Sequence, residues 1–466
     1  MNTPTENGAS APVLSGLFRL PTELIDSIFS HCSPFDLTSL SHVCRRLRSH
    51  SLADLHWQRL VLSQIPGNRV STPYPHQTWR ELYWAHDPFW FLTRHKLWFC
   101  DRSLAGQLVI ARYDEHRGCI EGYQLLALNQ RQDSEHWVAD PTVSIHHFQP
   151  RLRLHLDKPA FQLDSPRQNS FRTPNASSKA EVSLPRPFVS EKMMPNNYVS
   201  HRRFRKMCLA KALDPEQLLQ VMNEHFPYGS VWPPPSVPTH HRVRGHPDHD
   251  IKTPTDWKPS NRAEASDQTF RIHQWRDLGP SPLRIHIDEE YATYSTLHSA
   301  LYTPTQEKPW RGIWVGDYSV HSCEFILIHQ PGGTSEHQEE PLLRFDNEDE
   351  EDYQKRFLKE RVYRGPLQAI KLTGDPNVPR GELTFKVDDL GEEGFVGDLE
   401  GHPFQGARAV KSRGHIAAHG FQRDRFIESQ LILISHNRLA QYWVEFGHIS
   451  FFERVDIDKF LVPDEA

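Results

Sequence analysis

Two histidines and two aspartates stand out in the last third of this 466-residue chain. Asp317 and His321 fall in Gly312-Ile-Trp-Val-Gly-Asp-Tyr-Ser-Val-His321, Asp375 in Thr373-Gly-Asp-Pro-Asn-Val-Pro379, and His419 in Gly414-His-Ile-Ala-Ala-His-Gly-Phe421. A histidine paired with an aspartate is the core of general acid–base and hydrolytic chemistry. Hydrolysis by such a pair also calls for a nucleophile, and no Ser or Cys stands in an activating context. The chain has no nucleophile elbow, no HExxH and no phosphate-cradling Gly-rich loop. A hydrolase therefore ranks last among the readings. Metal ligation is no better supported, because neither histidine segment places a Cys or a further acid at ligand spacing. His240, His241, His246 and His249 crowd together, but in Pro-rich, acid-poor surroundings that fit only weak adventitious binding.

The same residues suit recognition. In the 373–379 turn Gly374 permits positive φ, Asp375 and Asn377 bond nearby backbone, and two prolines stiffen the loop. Such a turn holds a hydroxyl, a carboxylate and backbone amides in one place, which is a clamp for a peptide end. Trp314 and Tyr318 offer an aromatic wall. The substrate-binding set is thus Trp314, Tyr318, His321, Thr373, Gly374, Asp375, Asn377 and His419. The competing reading of each is structural: a barrel corner, a core aromatic, a satisfied histidine.

These residues need a rigid frame, and short apolar runs separated by Gly and Asp supply it. Residues 96–100, 107–113, 122–128, 143–148 and 152–156 read as strands, as do 284–287, 312–316, 324–329, 369–372, 383–387, 414–418, 431–434, 441–446 and 449–454. Many short strands with Gly turns and no internal repeat predict a barrel or sandwich. The acidic run 346–352 reads as a solvated loop. Residues 18–60 behave differently: apolar residues recur at helical spacing, with Ser33-Pro34-Phe35-Asp36 as a helix start. Three helices are expected there, the second carrying Leu37, Leu40, Val43, Cys44 and Leu47. Some forty residues cannot bury so much apolar surface by themselves, so part of it must face a partner or the rest of the chain.

The fold class is α+β: an all-α N-terminal unit, then a mostly antiparallel β-barrel with long disordered insertions. The boundaries are 1–15 disordered, 16–62 helical unit, 63–162 helical connector and first strands, and 163–198 disordered insertion. A helix is expected at 199–228, a Pro/His-rich loop at 229–268 and the barrel at 269–462. The net charge of -6 leaves no footprint for general nucleic-acid binding. No apolar run is long enough to span a membrane, and the N-terminus lacks a secretory signal. Six scattered cysteines without a C-x-x-C pair fit reduced thiols of the cytoplasm or nucleus. No cofactor is expected.

The order Leu20-Pro21-x-Glu23-Leu24, Ile28-Phe29, Asp36-Leu37, Leu40, Val43-Cys44-Arg45, Trp57 resembles the F-box. That resemblance implies binding to Skp1, and through it to a cullin–RING ubiquitin ligase, by Leu20, Pro21, Leu24, Ile28, Phe29, Leu37, Leu40, Val43, Cys44, Leu47 and Trp57. Residues 280–460 resemble the β-barrel substrate domain of the F-box-only receptors that target cyclin D and read modified protein C-termini. Similar motifs occur in plastid EXECUTER proteins. The divergent middle region is that of a fungal-type relative. The animal relative carries a Cys/His zinc insertion; here 157–175 contain neither residue, so no zinc is expected. The resemblance implies a non-catalytic receptor whose barrel holds a degron such as a protein C-terminus. The alternative it leaves open is a barrel that encloses a small molecule, with the F-box as its adaptor.

Overall fold

The computed structural model describes residues 16–67, 70–100, 105–130, 133–164, 188–195, 203–211, 258–277, 286–318, 323–331 and 342–463. His321 and the four histidines of 240–249 lie outside them, as do most of the expected insertion and most of the Pro/His-rich loop.

Four short helices open the chain: α1 (Thr22–Phe29), α2 (Pro34–Leu40), α3 (Arg45–Ser51) and α4 (Asp54–Leu62). Ser33 and Asp36 form a reciprocal capping box at the start of α2. The single second helix expected from the periodicity breaks after Leu40. Cys44 is extended at φ -158° and starts α3 afresh. Ile25, Phe29, Leu37, Leu47, Trp57 and Val61 are buried together. Trp57 Nε1 also donates to the Ser51 carbonyl at 2.9 Å. Trp57→Ala should cost about 3–5 kcal/mol, checked as a fall in the urea midpoint.

Two further helices, α5 (Trp79–His86) and α6 (Phe91–His95), lead into the β structure. The strands β1 (Leu97–Cys100), β2 (Gln107–Asp114), β3 (Cys119–Asn129), β6 (Pro150–Asp164), β7 (Glu191–Met193), β8 (Arg203–Lys211), β9 (Ala265–Asp277) and β10 (His286–Ser295) form one antiparallel sheet. Its order is β6-β3-β2-β1-β10-β9-β8-β7. Two expectations fail here. Residues 203–211 are a strand, not the start of a helix: Arg205, Met207 and Leu209 point inward at period two while Phe204, Lys206 and Cys208 alternate outward. Likewise β7 lies within the stretch expected to be disordered, held by its ladder to β8.

The second sheet contains β11 (Gly312–Asp317), β12 (Cys323–His329), β13 (Leu367–Lys371), β14 (Leu383–Val387), β15 (Phe395–Asp398), β16 (Arg408–Ala418), β17 (Gln422–Ser435), β18 (Arg438–Trp443) and β19 (His448–Arg454). Strand β19 pairs back to β11 through Trp314↔Arg454, Val315↔Glu453 and Gly316↔Phe452. That closes an antiparallel barrel of eight strands, β11-β12-β13-β14-β16-β17-β18-β19. The barrel therefore begins near residue 312, not 269, because β9 and β10 complete the first sheet. A hairpin of β4 (Ser134–Trp137) and β5 (Asp140–His146) adds to the outside of β19 in parallel. The acidic run is a helix start and not a loop. Asp349 caps α7 (Glu350–Phe357), and Glu350, Glu351 and Asp352 occupy its first turn, where the helix dipole favours anions.

Three cores organise the molecule. One joins the N-terminal helices to the inner face of the first sheet through Trp79, Trp98, Phe161, Phe270 and Tyr294. A second binds that sheet to the barrel wall. The third is the barrel lumen, filled by Trp314, Ile326, Ile328, Leu367, Phe385, Leu431, Leu439 and Phe452. A Cβ on Gly316 would lie 2.4 Å from the Phe452 ring, so the lumen is packed even at its glycine.

Candidate functional site

The N-terminal helices split the residues singled out by their pattern. Phe29, Leu37, Leu47 and Trp57 are 5% exposed or less and serve their own core. Leu20 and Leu40 are half-buried against it. Pro21, Leu24, Ile28, Val43 and Cys44 are exposed. Pro21, Leu24 and Ile28 share one face of α1, spaced three and four apart. Leu24 is 51%, Ile28 45% and Val43 66% exposed, a high figure for side chains of this kind. Asp26, on the same helix, binds His50 Nδ1 at 2.7 Å and so fixes α1 on α3. This is a small rigid helical unit with apolar residues left outside. Residues 17–63 match the family model described as F-box-like. The chain carries an F-box-like domain.

The second site is one end of the barrel, where the lumen turns polar. Glu324, Lys371 and Asp375 are all buried there. Lys371 Nζ lies 2.7 Å from Glu324 Oε2 and also bonds Asp375 Oδ2. The same ammonium sits 4.4 Å from the Tyr318 ring centroid, and the Tyr318 hydroxyl donates to Thr384 Oγ1 at 2.9 Å. Neither Glu324 oxygen accepts a well-aligned hydrogen bond. Burial accordingly pushes its carboxyl up to about 8 in spite of Lys371. Asp375 is held below its ordinary range. Burial opposes that, but Lys371 and the backbone amide of Val378 outweigh it.

The motif turns pack around this cluster. Asp375 Oδ1 accepts from the amides of Asn377 (2.6 Å) and Val378 (2.7 Å), and Thr373 Oγ1 accepts from the Phe325 amide at 2.9 Å. Gly374 does not use positive φ. It is small because a Cβ would lie 2.3 Å from the Arg380 backbone nitrogen. The Gly420 amide donates to the Pro376 carbonyl at 2.8 Å and ties the 418–422 turn to the 373–379 turn. Phe421 (φ 56°) in the first of these turns and Arg423 (φ 51°) just beyond it at the start of β17 are left-handed, a strained arrangement for side chains of that size.

Several expected site residues sit elsewhere. Trp314 is fully buried in the lumen, with Nε1 donating to the Trp310 carbonyl at 3.0 Å, so it is core and not an aromatic wall. His419 is exposed on its turn, outside the buried cluster. Its neighbour His415 is the buried histidine instead. Pairing of β14 with β16 is confined to Phe385↔Gly414 and Lys386↔Arg413. His415 Nδ1 donates to the Leu383 carbonyl at 2.9 Å beyond that short ladder, stacked on Phe426 at 4.4 Å. Glu324, Lys371 and Thr384 escaped the sequence reading. Their signal was a polar residue at an inward strand position, as in Cys323-Glu324-Phe325 and Ala369-Ile370-Lys371.

Residues 294–459 match the family model described as Cyclin D1 binding domain. Curated relatives include EXECUTER 2 of Arabidopsis thaliana, a chloroplast protein, 25% identical over 159 residues, 34% of this chain and 21% of that one. EXECUTER 2 of rice is 23% identical over 146 residues, 31% and 20% of the two chains. EXECUTER 1 of Arabidopsis thaliana is 24% identical over 166 residues, 33% and 22%. The chain spans about a fifth of the length of these relatives.

A pH test isolates the buried carboxyl. Glu324 keeps its proton in the folded state up to about 8, whereas the unfolded chain releases it near 4.5, the ordinary value for a glutamate. The folded state thus binds more protons across that window, and stability falls as pH rises through it, by at most about 1.4 kcal/mol per pH unit. Glu324→Gln should flatten the fall, read as urea midpoints across the window. Parallel slopes in the two proteins would contradict the assignment.

Proposed function

We propose that this protein is the substrate-recognition subunit of an SCF-type ubiquitin ligase. Its F-box-like helices dock Skp1 and through it the cullin–RING ligase. Its barrel end holds the degron of a protein substrate. The observation that carries the reading is the combination on one chain of unpartnered apolar residues on an F-box-like unit with a buried, charged barrel end. The docking set is reduced to the residues that reach solvent: Pro21, Leu24, Ile28, Val43 and Cys44, flanked by Leu20 and Leu40. The protein acts by holding substrate near the ubiquitin-charged enzyme, raising effective concentration without bond chemistry of its own. It works in the cytoplasm or nucleus.

The degron-binding residues are Tyr318, Thr373, Gly374, Asp375 and Asn377, with His419 on the adjoining turn and Glu324, Lys371 and Thr384 beneath; His321 keeps its place in the set from the sequence alone. Two carboxyls around one ammonium leave no spare positive charge, so a neutral amide end suits this pocket better than a free carboxylate. The Cyclin D1 binding domain match makes a cyclin a first candidate substrate. Co-expression with Skp1 followed by capture on C-terminal peptides, as free acids and as amides, tests both halves. Failure to co-purify Skp1 would sink the ligase assignment. Equal capture of every peptide would sink the pocket.

A further inference from the structure

A second candidate site lies away from the barrel's polar end. Leaving β19, residues 455–463 cross back onto the first sheet as a strap. Arg112 donates to the carbonyls of Val462 (3.3 Å) and Phe460 (3.5 Å), and Lys96 Nζ bonds Asp458 Oδ1 at 2.5 Å. Between strap, barrel and first sheet is a cavity of about 540 Å3, walled by Lys96, Tyr302, Ile313, Asn437, Glu453 and Val455 among others. That volume is within the range of small-molecule sites.

The cavity's charged groups are mostly spent within the protein. Asp458 is held by Lys96, Asp456 accepts from the Asp458 amide at 3.2 Å, and Glu453 lies 3.4 Å from Arg438. Arg454 donates to the carbonyls of Pro309, Arg311 and His436. What remains uncommitted is donors. The Tyr302 hydroxyl makes no hydrogen bond among the described residues, and burial and Asp458 push it up to about 12, so it stays protonated. Asn437 spends its oxygen on Arg454 Nε at 2.9 Å, leaving its amide N–H groups. Lys96 keeps two ammonium hydrogens beyond the bond to Asp458. Lys96 is also one of three non-glycine residues with left-handed φ (53°) among those described, and the others flank the barrel end. Strain held at a cavity wall is a mark of function.

We infer that this seam cavity is a binding site for a small monocarboxylate with a flat apolar body. The acid would take hydrogen bonds from Lys96, Tyr302 and Asn437, and the body would rest on Ile313 and Val455. Asp458, Glu453 and Asp456 are paired with Lys96, Arg438 and Lys459, which leaves little positive charge for the second charge of a dianion such as a phosphate monoester.

The test uses the full chain with sodium benzoate, benzamide and phenyl phosphate as probes, read by saturation-transfer NMR and thermal shift. Benzoate should bind, and benzamide and phenyl phosphate should bind more weakly. Lys96→Gly, which the backbone conformation at 96 accommodates, should weaken benzoate about tenfold, and Tyr302→Phe about threefold. Circular dichroism checks that both variants fold. No saturation transfer from benzoate would overturn the inference. So would unchanged binding in both variants, or phenyl phosphate or benzamide binding as well as benzoate.

Discussion

Replacing Leu24 and Ile28 together by aspartate should abolish capture of Skp1 while leaving the chain folded. Both side chains stand on the solvent face of α1, half exposed, so their loss removes little from the F-box-like core. Surface changes of this kind cost stability about 0.5 kcal/mol or less each. Burying each residue in a partner is worth about 1.5–3 kcal/mol. Removing two such contacts and placing charges in their stead should weaken the complex at least about a hundredfold. Phe29→Asp is the contrasting case. It puts an unpaired charge among Ile25, Leu37 and Trp57, and should unfold the helical unit before Skp1 is ever encountered. Co-purification, with circular dichroism on each variant, separates the two outcomes. Retained Skp1 binding by the double aspartate variant would place the interface elsewhere.

Lys371→Met should be the most damaging single change in the barrel. It leaves Glu324 and Asp375 buried side by side with no cation between them. Breaking a buried ion pair by removing one partner costs about 3–5 kcal/mol, because the uncompensated charge remains. Adding Asp375→Asn to the variant should restore part of that loss, since Asp375 is the carboxyl that stays ionised while Glu324 keeps its proton up to about 8. Urea unfolding followed by circular dichroism gives the stability of each variant. If the double variant is no more stable than the single, the cluster is not electrostatically coupled. Peptide capture should fall with Lys371→Met and should not return with stability in the double variant.

How far the sequence could be read differs between the two halves. Helix starts and apolar spacing marked 18–60 as helical, because local patterns set those elements, but they did not show the break between Leu40 and Arg45 that makes two helices of the expected second one. The same patterns could not separate Phe29 from Ile28. Neighbours on one helix face different ways, and which way is inward is decided by α3 and α4. The strands from 312 to 454 were nearly all legible. Barrel closure was not, since it rests on three β19–β11 pairs between segments far apart in sequence. Residues 203–211 were misread because the basic run at their start hides the period-two alternation of a strand whose inward positions include Arg205. At the barrel end the Thr373–Pro379 turn was visible from its Gly, Pro and Asn. Lys371 and Glu324 were hidden, because a charged residue on a strand is ordinarily assigned to the solvent face. His419 drew notice over His415 for want of any local signal distinguishing them. Only the short β14–β16 pairing does so.

In the proposed function one chain addresses Skp1 at one end and a peptide terminus at the other. A capture assay on immobilised C-terminal peptides, amide and free-acid forms side by side, with Skp1 present in solution, reads both ends at once. The wild-type protein should bind a subset of peptides, favour amides, and carry Skp1 onto the resin in equal amount. The Leu24/Ile28 double aspartate variant should bind the same peptides and leave Skp1 behind. Skp1 retained by that variant, or peptides bound without regard to sequence or terminal group, would contradict the account.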